Sequence, residues 1–138
     1  MATVFGTTFA DRTTNYPDRV LTAQALPNNT TFTSSAFSFA KVAGRIELEI
    51  VANTSIVLVD TKTLKIELFW DKSATGSFSA SRVINSYIAS GSTLTIAAGT
   101  VVGLVTPESD VEQFAKIKFT TTADQSAHKV DAALYYRS

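Results

Sequence analysis

The chain has 138 residues, with 12 basic and 12 acidic side chains, one His and no Cys. That length suits one domain with its own core, and the missing cysteines exclude a thiol nucleophile, a thiolate metal site and a disulfide framework. A formal net charge of zero removes long-range attraction to nucleic acid or an anionic membrane, while 20 Thr and 14 Ser favour pleated sheet over helix.

Residues 1–20 are predicted to be an extended arm. Their apolar side chains, Val4, Phe5, Phe9 and Tyr16, are too sparse to form a core but are placed to lie along one. The start lacks a basic region followed by an apolar stretch, so the protein is expected to be made and kept in a cytosol. Residues 21–138 are assigned to a single β-sandwich domain. Pro27-Asn28-Asn29 is turn material, and Phe32, Phe37 and Phe39, separated mainly by hydroxyl residues, mark one or two irregular strands.

From Arg45 onward the period of two that a sheet requires is sustained. Arg45 to Val51 places Ile46, Leu48 and Ile50 on one face. Leu64 to Trp70 repeats the pattern, and antiparallel pairing of these two strands would put Glu47, Glu49, Lys65 and Glu67 in one solvent layer. The apolar run Ile56 to Val59, far below the ~20 residues of a membrane span, is a short buried segment between turns. After the polar loop from Asp71 to Ser77 come strands over 83–88 and 101–105, with Leu94-Thr95-Ile96 and the turn Ala97 to Thr100 between them. Pro107 ends the second of these strands, and Glu108 to Gln113 is predicted to make a short helical turn. Phe114 to Phe119 and Val130 to Tyr136 are the last two strands. About eight strands at this spacing predict an all-β fold, a single-domain antiparallel sandwich wound like a jelly roll.

The catalytic patterns present have simpler explanations. Ser38-Phe39-Ala40-Lys41 has the Ser-x-x-Lys spacing of a lysine-activated serine, but that chemistry needs a helix and these residues read as strand. Glu47, Glu49 and Glu67 would offer a glycosidase carboxylate pair, yet their alternation makes them outward-facing residues. No segment has the spacing of a calcium loop, the glycines around 99–103 lack the lysine and helix of a phosphate loop, and one His128 cannot supply two imidazole ligands. We therefore expect no enzyme, no cofactor and no metal. Trp70 and Tyr87, with the 71–77 loop, would suit a sugar-stacking platform, although core packing is the commoner fate of a lone Trp at the end of an apolar strand. Tyr135 and Tyr136 point to opposite faces, so one is outward. Phe5, Phe9, Tyr16 and Tyr136 are the candidate interface residues.

The order of elements from Gly44-Arg45-Ile46-Glu47-Leu48-Glu49-Ile50 through Leu64-Lys65-Ile66-Glu67-Leu68-Phe69-Trp70-Asp71-Lys72-Ser73, the turn Leu94 to Thr100, Pro107, the strand Ala115 to Thr120 and the Ala-rich strand Val130-Asp131-Ala132-Ala133-Leu134 resembles a known family. It is similar to the jelly-roll capsid cement, or head decoration, proteins of tailed bacteriophages of the Bordetella-phage type. The resemblance covers about two-thirds of the chain and rests on patterns rather than a signature motif; the longer, more aromatic N-terminal portion departs from it. It implies a structural virion protein that binds the outer surface of the phage head, is made in the bacterial host cytoplasm, and cements neighbouring major capsid subunits as a homodimer or other small oligomer, with neither nucleic acid nor membrane as partner. A small carbohydrate-binding, lectin-like sandwich is the alternative.

Overall fold

The structure, a computed structural model, describes residues 18–39, 46–106 and 113–136. These residues form eleven strands and no helix: β1 (Asp18–Ala25), β2 (Thr31–Thr33), β3 (Phe37–Ser38), β4 (Ile46–Ala52), β5 (Ile56–Leu58), β6 (Thr63–Asp71), β7 (Ala80–Ile88), β8 (Leu94–Ile96), β9 (Val101–Val105), β10 (Phe114–Thr121) and β11 (Lys129–Tyr136). One antiparallel sheet has the order β1-β11-β4-β9. The second runs β2-β10-β6-β7, with β3 also on β10, and β5 and β8 form a separate two-stranded ribbon.

The winding follows from these pairings. With β2 and β3 counted as one broken strand and the β5–β8 ribbon set aside, eight strands remain. First pairs with last (β1 with β11), second with seventh (β2/β3 with β10), third with sixth (β4 with β9) and fourth with fifth (β6 with β7). One long hairpin is thus folded over into two sheets, the path of a jelly roll. The antiparallel pairing of β4 with β6 that would have shared one solvent layer does not form, because the two strands lie in different sheets.

Alternation explains the core. Leu64, Ile66 and Leu68 on β6, Ala115, Ile117 and Phe119 on β10, Leu48 and Ile50 on β4, and Val130 and Ala132 on β11 are all buried in one apolar cluster to which both sheets contribute. Ile56, Leu58 and Ile96 bring the ribbon into the same cluster. β1 is less regular. Its register shifts on either side of Leu21, and Ala23, at φ 47°, donates its N–H to Asp131 Oδ1 at 2.6 Å. Asp131 Oδ2 accepts from Asn53 Nδ2 at 2.9 Å, so a single carboxylate ties the β1 bulge to the turn after β4.

The break between β2 and β3 is repaired by a side chain. Ser34, 4 % exposed, donates its N–H to the Ile117 carbonyl at 2.9 Å, and its hydroxyl accepts the Ile117 N–H at 3.0 Å. The hydroxyl stands where the carbonyl of an unbroken strand would be. Ser34→Ala would leave a buried N–H without an acceptor, an expected loss of about 1–3 kcal/mol in urea unfolding. A loss of only a few tenths would mean that another acceptor takes over the Ile117 amide.

Candidate functional site

The catalytic patterns do not converge. Ser38 lies on β3, paired with β10, and Lys41 lies outside the described residues. Glu49 faces outward from one sheet and Glu67 from the other, so the sandwich separates them. Glu67 lies 3.8 Å from Lys65 Nζ. Glu47 was expected in solvent but is 2 % exposed; it stands on the outer side of β4, opposite Tyr135 of β11. Among the described residues, no three His, Cys, Asp or Glu side chains gather closely enough to hold a metal ion. His128 is half-buried in the turn before β11.

Trp70 is buried in the core, and the Tyr87 hydroxyl accepts a hydrogen bond from Asn85 Nδ2 at 3.0 Å. Trp70 thus has the core packing that its place at the end of an apolar strand favoured over a sugar-stacking role. Phe5, Phe9 and Tyr16, like most of the predicted arm and of the helical turn at 108–113, lie outside the described residues; residues 18–20 belong to β1. Tyr136 is the last residue of β11, opposite Ile46.

Two surface features emerge instead. The first is the flank bounded by β7 and β9, each the terminal strand of its sheet. Of the five exposed large apolar side chains among the described residues, Val83 and Ile88 belong to β7 and Val101 and Leu104 to β9, leaving only Val59 elsewhere. The two strands are tied by Asn85 Nδ2 of β7, which donates to the Val102 carbonyl of β9 at 3.0 Å. Their edges are protected differently. β7 carries Arg82, and its Ser86 N–H is already engaged by Asn85 Oδ1 at 2.9 Å. β9 carries no charge and no proline; besides the Asn85 bond to its Val102 carbonyl, its device against pairing is the bulge opposite Ile50 and Val51.

The second feature is a shallow depression of about 190 Å³ on the outer face of the β2-β10-β6-β7 sheet, lined by Thr33, Phe69, Ser77, Phe78, Lys116 and Lys118. Lys116 and Lys118 alternate with buried residues on β10 and so share one face. Lys116 Nζ sits 4.5 Å from the Phe78 ring centroid and Lys118 Nζ 5.4 Å from that of Phe69, distances at which the ring quadrupole attracts a cation.

The loop after β6 shapes one wall. Asp71 Oδ1 accepts the Ser73 N–H at 2.9 Å and Oδ2 the Phe78 N–H at 3.2 Å, closing the loop on its own first residue. Gly76 is required there, since a Cβ would overlap the Asp71 carboxylate, and Phe78 takes φ 52° to turn its ring under Lys116. The amides of Ser73 and then Phe78 hold the Asp71 carboxyl below its ordinary value of 3.8. A depressed folded value means stability that is present above pH 3.8 and lost as pH falls through the folded value. The Ser73 and Phe78 amide resonances are therefore expected to titrate together, with a midpoint below 3.8. A midpoint at or above 3.8 would show that the loop is not closed by this carboxylate.

Nothing in the composition announced the depression, because its aromatics and lysines come from three separate segments, and Phe78 is buried only once its loop folds back. The one legible sign was the alternation of Lys116 and Lys118 on a strand. Compared with known proteins, the chain matches no family model and no curated sequence.

Proposed function

We propose that this protein is a non-enzymatic structural component of a phage virion, which binds the outer surface of the head and cements neighbouring major capsid subunits. The observation that carries this reading is the winding. Of the segments that carry the resemblance to head decoration proteins, the strand pieces at 46–50, 64–71, 115–120 and 130–134 fall on β4, β6, β10 and β11. These four strands are parts of one jelly roll, and the piece at 94–100 falls on β8 and the turn after it, in the ribbon beside it. A sandwich with a continuous core suits a protein that must resist shear without moving parts, and zero net charge lets copies crowd on a lattice with little mutual repulsion.

In this reading the N-terminal segment ahead of β1, with Phe5, Phe9 and Tyr16, contacts the capsid, and Tyr136 adds to an interface. The homo-oligomer forms through β9, whose uncharged edge is complementary to a second copy of itself under two-fold symmetry. Purified heads test the function. The protein is expected on them in stoichiometric, repeated copies, visible in an image reconstruction as density outside the capsid lattice, and its recovery only as free protein from lysate would overturn the proposal.

A further inference from the structure

We propose that the Lys116–Lys118 depression binds a single carboxylated sugar residue of the uronate or sialate class. Two cations are in place. Among the described residues neither ammonium has a carboxylate partner; Glu67, the cross-strand neighbour of Lys118, engages Lys65 instead. Each ammonium lies over an aromatic ring, and the two lysines rise from one face of β10 at a strand's two-residue spacing, ~7 Å apart at the backbone.

The rest of the lining separates an acidic sugar from a bare carboxylate. Thr33 and Ser77 line the same space, and among the described residues neither hydroxyl has a hydrogen-bond partner within the protein. An acidic peptide side chain would use the ammoniums and leave both hydroxyls to water. A uronate presents ring hydroxyls beside its carboxylate, which can meet Thr33 and Ser77 while the carboxylate meets the two ammoniums. The volume, about 190 Å³, is below the ~300 Å³ at which drug-sized pockets begin, which limits the occupant to one ring. This inference does not depend on the virion reading, since the depression lies on the outer face of the β2-β10-β6-β7 sheet, away from the β9 edge.

The test is a titration of the ¹⁵N-labelled full chain, followed by amide shifts, with glucuronate and N-acetylneuraminate as probes. Glucose, acetate and N-acetylglutamate amide serve as comparison ligands at matched ionic strength. Saturable shifts are expected at Thr33, Phe69, Ser77, Lys116 and Lys118 with at least one acidic sugar. The dissociation constant should be on the order of 1 mM and should rise with salt. Lys116→Gln and Lys118→Gln are each expected to weaken binding at least about tenfold, the loss of one charge-assisted hydrogen bond. Ser77→Ala, a milder change, is expected to weaken it severalfold with the melting temperature unchanged. Equal binding of glucose would overturn the requirement for a carboxylate. Equal binding of acetate or N-acetylglutamate amide would make the depression a receptor for acidic side chains, and no saturable shift would remove the site altogether.

Discussion

Phe119→Ala is expected to lower the free energy of unfolding by about 3–5 kcal/mol, among the largest single losses the core can suffer. Phe119 is 0 % exposed and sits on β10 between Phe32 of β2 and Ile66 of β6, its cross-strand partners. Its ring stacks on Phe32 at 6.4 Å. Removing it would strip β2 of its anchor and open a cavity under the strand that joins the two halves of its sheet. Against a domain stability of about 5–15 kcal/mol, that is about a fifth or more of the total. Equilibrium urea unfolding reads the loss directly. Phe69→Ala provides the contrast, because Phe69 points to the outer face and is half-buried, so its removal should cost distinctly less. Equal costs for the two would contradict the assignment of inner and outer faces.

Leu104→Lys is expected to weaken self-association at least about 30-fold, the equivalent of a 2 kcal/mol contact. Leu104 is 53 % exposed on β9, so the substitution leaves the fold within about 0.5 kcal/mol of its original stability. In a two-fold dimer through this edge, each lysine would meet an apolar surface without a counter-charge, near the lysine of its partner. Sedimentation equilibrium of the two forms measures the change. Val59→Lys is the control, an equally exposed apolar residue (51 %) in the turn after β5, and should leave association unchanged. A strictly monomeric parent at high concentration would exclude the β9 dimer in free solution.

Strand positions were legible wherever burial alternates. β4, β6, β9, β10 and β11 lie within a residue or two of their predicted spans, and β2 and β3 match the expected irregular strands. β1 was not legible because bulges at Leu21 and Ala23 break its alternation, and because the aspartate that stabilises the bulge is 108 residues away. The partner of β4 was not legible either. Alternation marks a face as inner or outer without saying which sheet it belongs to, and two amphipathic strands in succession look like a hairpin whether or not the chain crosses to the opposite layer between them. Glu47 shows the same limit at one residue: its position on the outer side of β4 is readable, its burial is not. The depression needed the 71–78 loop to fold back on Asp71 before Ser77 and Phe78 could stand beside β10, a three-dimensional fact with no local signature.

The folded-over hairpin also sets the order in which this chain can find its native state. The β6–β7 pair closes across a short loop and is the cheapest long-range event available, whereas β1 and β11 join residues more than a hundred positions apart. Each pair outward from that loop encloses the one before it, so closure entropy is spent before most contacts form. The chain therefore belongs with the slow, high-contact-order folders, on the millisecond-to-second scale. During that interval β11 stands with an open edge until β1 arrives, and the sheet that ends the process is the one most exposed to wrong partners while it waits.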